Sequence, residues 1–132
     1  MAEVTIDTSA LPVIKVILPT EGTPEDIRKY YARLEIIMRQ QERLAFLVDL
    51  RQINILKATA EIRAAMATEF KKVKPLFEEV AVAQAHLVEG TMTKGVLTAF
   101  NWLLGEKVRC PEKVFDQEQD ALDWLNEHLD PA

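Results

Sequence analysis

The feature that most constrains the fold of this chain is the short apolar run from Leu44 to Leu50, in which Asp49 is the only charged residue. An apolar run that ends in an acid and leads into a loop is typical of a fully buried strand whose carboxyl end lies at a crevice. A helix start follows at residues 57–61. In α/β proteins such crevices usually carry the functional site. The run therefore predicts an α/β fold that works near Asp49.

Length and composition indicate one globular domain spanning residues 1–132. The chain has 132 residues, of which 48% are hydrophobic and 28% are charged, so it can bury a core. Its formal charge is −5, and its basic residues form no block long enough to follow a phosphate backbone. Nucleic acid is therefore not an expected partner.

The sequence also favours a soluble protein of a reducing compartment. Residues 1–5 lack the basic start and apolar core of a signal peptide, and no apolar run approaches the length of a membrane span. The only cysteine, Cys110, excludes an internal disulfide. We therefore expect a cytoplasmic location and no stable membrane span.

The first half of the chain alternates strand and helix patterns. Two β-branched runs, 4–7 and 13–18, predict an antiparallel pair of strands. Thr23 before Pro24 predicts the start of a helix that runs to about Gln41. After the strand at 44–50, a second helical stripe leads past Pro75, where the missing backbone N–H should end or kink the helix. That stripe consists of Ile62, Met66, Phe70, Val73 and Phe77.

The second half continues the alternation. Residues 80–88 predict a strand whose many alanines suggest close packing of a helix on one face. Gly90 and Thr91 open a third predicted helix, which Gly105 closes. A short strand is expected around 108–115, and a final helix should start with a capping-box-like pair. That pair is Asp116 and Gln119.

The resulting order is ββαβαβαβα. It predicts a mixed, mostly parallel sheet of four to five strands covered by about four helices, because alternating strands and helices require crossover connections.

This order resembles that of the STAS-like superfamily. The segments 46–50 and 114–125 also carry the resemblance. The superfamily includes bacterial anti-sigma-factor antagonists and a divergent bacterial branch labelled STAS/SpoIIAA-like. The resemblance covers nearly the whole chain. It implies a bacterial regulatory module that acts through protein–protein contacts and has no catalytic activity or cofactor.

In the antagonists, the strand that ends in an acid leads to Asp-Ser-Ser/Thr-Gly at the next helix start, and the first serine is phosphorylated. Counting the same distance from Asp49 places Lys57, Ala58, Thr59 and Ala60 at those four positions. Alanine replaces the phosphorylated serine. The resemblance therefore implies an interaction crevice at Asp49, Lys57, Ala58 and Thr59 without the family's serine switch.

Thr59 has two interpretations. As a helix cap, its hydroxyl accepts a hydrogen bond from a free backbone N–H, a role worth about 1 kcal/mol. As a candidate phosphorylation site, it would hold a phosphate at the positive end of the helix, with Lys57 and Arg63 nearby in sequence. Caps are far more common than phosphosites, so the cap is the default interpretation.

The sequence offers little for catalysis, metals or nucleotides. His86 lies in an apolar strand and His128 near the end of the chain, and both are most simply structural. Asp49 is expected to pair with the adjoining loop rather than to act as a base. No His, Cys or carboxylate cluster has the spacing of metal ligands. The loop at 90–95 lacks the Lys-Ser/Thr of a phosphate-binding loop.

The third predicted helix is unusually apolar. Its apolar arc spans roughly 220°, whereas covering a sheet requires about 100°. The surplus predicts a partner or ligand surface at Leu97, Phe100, Trp102 and Leu104, unless neighbouring helices cover it. The first functional hypothesis is a regulatory interaction module, with a protein partner or a second copy in a homodimer. The alternative is a carrier of an apolar small molecule or lipid beneath this helix.

Overall fold

A computed structural model of the protein describes residues 4–18, 22–52, 59–89 and 108–130. In chain order the elements are β1 (Thr5–Ala10), β2 (Val13–Ile17), α1 (Pro24–Arg39) and β3 (Leu44–Asp49), followed by α2 (Ala60–Val80), β4 (Ala81–Leu87), β5 (Glu112–Phe115) and α3 (Glu118–Leu129). The five strands form one sheet in the order β1-β2-β3-β4-β5.

The sheet is mixed because one pair of strands is a hairpin. β1 runs antiparallel to β2, and the turn between them contains Leu11 and Pro12. The pairs β2–β3, β3–β4 and β4–β5 are all parallel. The predicted antiparallel pair and the predicted mostly parallel sheet are both confirmed.

Helices α1 and α2 pack together on one face of the sheet. The core on this face is built from β-strand side chains such as Ile14 and Phe46 and from the buried stripes of both helices. The stripe of α1 consists of Ile27, Tyr31, Leu34 and Met38, which agrees with the periodicity of the sequence. A capping box at Thr23 and Asp26 fixes the start of α1, with Pro24 as its first residue.

Helix α2 does not end at Pro75 but continues to Val80. The prediction was that the helix would end or kink at Pro75, and it does not end there. Proline removes one helical hydrogen bond, but Phe77 and Val80 beyond it are 4% and 6% exposed and pack in the core. Burial of these two side chains outweighs the local cost of the proline, which is a case of tertiary packing overriding propensity.

Helix α3 packs on the opposite face of the sheet. There Ala83 and Ala85 of β4 are fully buried, together with Ala121 and Leu125 of α3. Small side chains on both elements let the backbones approach, so the predicted close packing of a helix on the alanines is confirmed. The predicted capping pair at Asp116 and Gln119 is wrong, because the N-cap residue is Gln117 and it makes no side-chain capping hydrogen bond.

The predicted α/β fold class is confirmed, with five strands in a mixed, mostly parallel sheet. Three helices are described, and the predicted helix between Gly90 and Gly105 lies outside the described residues. The predicted strand at 80–88 is shorter by one residue at each end, since Val80 closes α2. The last strand begins only after Pro111, at Glu112.

Candidate functional site

The carboxyl ends of the parallel strands meet at one edge of the sheet. Ile17 pairs with Asp49, Asp49 with Leu87, and Leu87 with Phe115, so the four strands end at the same level. Because each helix follows a strand and returns antiparallel to it, α1, α2 and α3 all begin at this edge. The edge therefore combines strand ends with the positive ends of three helices.

Asp49 is held at this edge by Arg51. The carboxylate accepts hydrogen bonds from Arg51 Nε at 3.0 Å and from Arg51 Nη2 at 2.8 Å, which is a bidentate pair. The backbone N–H of Arg51 donates a third bond to Oδ1 at 3.0 Å. The Asp49 side chain is 5% exposed, whereas that of Arg51 is 40% exposed. Asp49 thus pairs with the adjoining loop, as the sequence predicted.

Two more side chains extend this pair into a network. Glu118, the first residue of α3, lies with its Oε1 3.6 Å from Arg51 Nη2. The same oxygen accepts a hydrogen bond from Lys15 Nζ at 2.9 Å. We call the four residues Lys15, Asp49, Arg51 and Glu118 the charged edge. It alternates two cations and two anions and joins β2, β3 and α3.

The chemistry of Asp49 is that of a fixed anion. Burial alone would raise the pKa of its carboxyl, but the hydrogen bonds and positive charge of Arg51 outweigh burial and lower it. A carboxylate that is ionised at neutral pH and occupied by three N–H groups is a poor proton acceptor. The arrangement is suited to orienting the Arg51 guanidinium.

Thr59 caps helix α2. Its hydroxyl accepts a hydrogen bond from the backbone N–H of Ile62 at 3.2 Å, and its backbone is extended, as in an N-cap. The cap interpretation is confirmed. Thr59 is exposed at the same edge of the sheet as Asp49. The other two predicted crevice residues, Lys57 and Ala58, lie outside the described residues, as do Leu97, Phe100, Trp102 and Leu104.

Three side chains are candidate nucleophiles or bases: His86, Cys110 and His128. His86 is fully buried in β4, and its Nε2 lies 2.8 Å from the amide nitrogen of Gln84. Burial lowers the pKa of His86 to about 4, so the ring is neutral at physiological pH. Burial first, and then the charge of Glu112, raise the pKa of Cys110 to about 12, which keeps it a thiol. His128 stacks edge-on against Trp124, with ring centroids 4.5 Å apart.

Sequence reasoning missed three of the four charged-edge residues. Arg51 carried a local signal, because it follows the acid at the strand end by two residues. Lys15 and Glu118 carried none, since they are separated by 103 residues and meet only through the fold. An isolated lysine in a strand and an isolated glutamate at a helix start are common surface residues, and no spacing connects them.

Two further observations bound the site. Among residues 4–18, 22–52, 59–89 and 108–130, no group of three or more His, Cys, Asp or Glu side chains could hold a metal ion. Within the same ranges, no helix combines the length and apolar character needed to cross a bilayer.

Comparison with known proteins agrees with this architecture. The chain is similar to an uncharacterized protein of the DUF3478 family with a SpoIIAA-like fold, from Shewanella loihica PV-4, whose crystal structure superposes with a TM-score of 0.63. The two are 17% identical, and the similarity covers 95% of each chain. At that identity the likeness shows the fold alone. None of the curated proteins with which the chain was compared matches it.

The family is shown by a match along most of the chain. The model of the SpoIIAA-like family matches residues 13–126, which includes β2 through most of α3 and all four residues of the charged edge. The family match and the five-stranded fold agree with the resemblance seen in the sequence. The chain therefore belongs to the SpoIIAA-like family.

Proposed function

We propose that this protein is a non-enzymatic regulatory module that binds a partner protein at the charged edge, with Arg51 as the anchor. The observation that carries the proposal is the geometry of Arg51. Its guanidinium is fixed by a bidentate bond to a buried carboxylate, yet 40% of its side chain remains exposed. Arginine is enriched among the residues that dominate binding energy, and fixing its side chain beforehand lowers the entropy cost of binding.

The states of the ionisable groups support a role other than catalysis. Asp49 is an occupied anion, His86 is a neutral buried ring, and Cys110 is a protonated thiol. Each lacks the poised pKa that a general base or nucleophile needs near neutral pH. Membership in the SpoIIAA-like family is consistent with a regulatory or interaction module.

The proposal does not include the serine switch of the antagonists. Ala58 stands at the serine position by sequence count, and it has no hydroxyl to phosphorylate. Thr59 is the remaining candidate, and its hydroxyl already caps α2. Mass spectrometry of protein from its native cell tests this part, and a stoichiometric phosphate on Thr59 would overturn it.

Site-specific photocrosslinking in the native cell tests the binding site. A photoreactive residue at Gln52, exposed beside Arg51, should capture a partner or a second copy of the chain. The matched control is Gln40, which is exposed at the end of α1 and hence at the opposite edge of the sheet. The Gln52 adduct should disappear in an Arg51→Ala background but persist in an Arg39→Ala background. Equal adducts at both positions, or none at Gln52, would contradict the proposal.

The alternative, a carrier of an apolar molecule, applies to the surface predicted at Leu97, Phe100, Trp102 and Leu104. Native mass spectrometry combined with lipid extraction separates the two functions. A near-stoichiometric lipid on the purified protein would favour the carrier. A ligand-free dimer would favour the interaction module.

A further inference from the structure

The guanidinium of Arg51 has two edges that can each bind a carboxylate. An arginine carries five N–H donors in a rigid planar fork. A carboxylate can pair with Nε and one terminal nitrogen, which we call the side edge, or with both terminal nitrogens, which we call the end edge. Asp49 fills the side edge of Arg51, through Nε at 3.0 Å and Nη2 at 2.8 Å.

The end edge of Arg51 has unused donors. Among residues 4–18, 22–52, 59–89 and 108–130, none accepts a hydrogen bond from Arg51 Nη1. The Oε1 atom of Glu118 lies 3.6 Å from Nη2, which is too long for a hydrogen bond. The Arg51 side chain is 40% exposed, although Asp49 covers one edge of its guanidinium. The end edge therefore offers donors to a partner at the protein surface.

The acids of the charged edge are already occupied. Asp49 accepts three N–H bonds from Arg51 and is 5% exposed, so it has little left to offer a basic partner. Glu118 accepts a hydrogen bond from Lys15 at 2.9 Å. A guanidinium donates hydrogen bonds and accepts none. The unused bonding capacity of the site therefore selects a group that supplies acceptors.

Glu118 stands beside the end edge and carries the same chemistry as such a group. Its side chain is 38% exposed and is drawn to Lys15, so it approaches Arg51 without bonding to it. An incoming carboxylate would meet the charge of Glu118 first. The charge of Glu89 also acts on Arg51, but Glu89 is exposed, so solvent and salt weaken its effect.

We infer that the partner protein places the carboxylate of an aspartate or glutamate on the end edge of Arg51, and that Glu118 competes with it. The inference rests on the proposed function, because it names the partner's chemistry at the same site. Two parallel N–H bonds to one carboxylate are among the strongest hydrogen bonds in proteins. By bonding Glu118, Lys15 keeps the end edge available.

Nitrogen-15 NMR of the Arg51 side chain tests the chemistry on the full chain. A hexaglutamate peptide is the probe of an acidic segment, with hexalysine and inorganic phosphate for comparison. Hexaglutamate should shift the Arg51 Nε–H signal saturably, and hexalysine should not. The inference is overturned if hexaglutamate leaves the signal unchanged, whether or not phosphate shifts it.

Three variants separate the end edge from net charge. Glu118→Gln should tighten hexaglutamate binding by about two- to fivefold, the effect of one exposed charge pair. Asp120→Asn removes the same charge from the same turn of α3, at an exposed position, and should change affinity much less. Combining Lys15→Met with Glu118→Gln restores the wild-type net charge and should keep a gain over wild type. Weaker binding than wild type in that double variant would place the carboxylate on Lys15 and overturn the inference.

The photocrosslink at Gln52 carries the same test into the cell. Glu118→Gln should increase the Arg51-dependent adduct by a similar factor, whereas Asp120→Asn should not. An Arg51-dependent adduct that is unchanged or reduced by Glu118→Gln would overturn the acidic partner and leave the proposed function standing. If no adduct depends on Arg51, the proposed function itself fails.

Discussion

The two faces of the sheet reach burial by opposite means. On the α1/α2 face, large aromatic side chains such as Phe46, Phe70 and Phe77 fill the space between sheet and helices and leave a cavity of about 40 Å³. On the α3 face, alanines at positions 45, 83, 85 and 121 bring one helix close to the strands. Large rigid rings can leave small gaps when they pack together, whereas small side chains let a helix approach the sheet closely and leave little space between them. The first face therefore keeps a small free volume, whereas on the second face the described strands pack closely against α3.

The largest expected effect comes from truncating an aromatic side chain of the α1/α2 face. Phe46→Ala removes a ring that is 2% exposed and that contacts Phe77, so the free energy of unfolding should fall by about 3–5 kcal/mol. Urea unfolding followed by circular dichroism measures this loss. Ile36→Ala, at a position 60% exposed, is the control and should change stability by less than about 0.5 kcal/mol. A loss near 1 kcal/mol for Phe46→Ala would mean that this face repacks freely.

Adding atoms should separate the two faces. Ala85→Leu places a larger side chain where β4 meets α3 without free space, and it should destabilise the protein by about 1–3 kcal/mol. Val48→Ile adds one methylene beside the cavity and should cost less than about 1 kcal/mol. The same unfolding measurement compares them. Equal costs would break the contrast between a face with space and a face without it.

The charged edge closes the end of the α3 face, and its contribution should depend on pH. Arg51→Ala removes two of the three donors to a carboxylate that is 5% exposed, so it should cost about 1–3 kcal/mol, nearer the lower value because the backbone donor remains. Because the folded pKa of Asp49 is lowered, its stabilisation is present above the unfolded pKa of about 3.9 and is lost as pH falls through the folded pKa.

The stabilities of wild type and Arg51→Ala should therefore differ at pH 6–7 and begin to converge only as the pH falls below about 4. Arg39→Ala, which breaks an exposed pair with Glu35 on α1, is the control and should cost about 0.3–0.5 kcal/mol. A difference between wild type and Arg51→Ala that persists at low pH would show that Arg51 stabilises the fold by packing rather than through its charge.

The smallest expected effect on stability comes from substitutions at the starts of helices on the two faces. Thr59→Ala removes the hydrogen bond to Ile62 N–H at the start of α2 and should cost about 1 kcal/mol. Gln117→Ala at the start of α3 is the matched control. Gln117 makes no side-chain capping hydrogen bond, so this substitution should lower the free energy of unfolding by only about 0.2–0.4 kcal/mol. Thermal unfolding measures both variants. A similar loss for Gln117→Ala would show that the Gln117 side chain stabilises the protein by a contact other than a capping hydrogen bond.

Local patterns predicted most of this fold because its elements carry strong local signals. The apolar run at 44–50, the Thr23-Pro24 helix start and the stripe through Phe77 each follow from nearby residues. The errors arose where packing outweighs local preference. Helix α2 continues through Pro75 because Phe77 and Val80 are buried, and α3 begins without the capping pair expected at Asp116 because Leu125 and Ala121 anchor it to the sheet.

The candidate site was harder to predict than the fold. Asp49 and the cap at Thr59 followed from sequence, because a strand end and a helix start are local features. The salt bridge between Lys15 and Glu118 joins distant segments, and the cavity exists only between two helices and a sheet. Contacts of that kind have no periodicity or spacing that a single sequence could reveal.

The strand order has a consequence for how the protein forms during synthesis. Each strand from β2 to β5 pairs with the one before it in the chain, so every new strand finds its neighbour already available as translation proceeds. Helix α3 is the last described element, and it covers strands that have emerged much earlier. Until α3 arrives, the alanine face lacks the only described helix that packs on it, and Arg51 lacks Glu118. A nascent chain stalled before residue 118 should therefore expose the apolar side chains that α3 would otherwise bury.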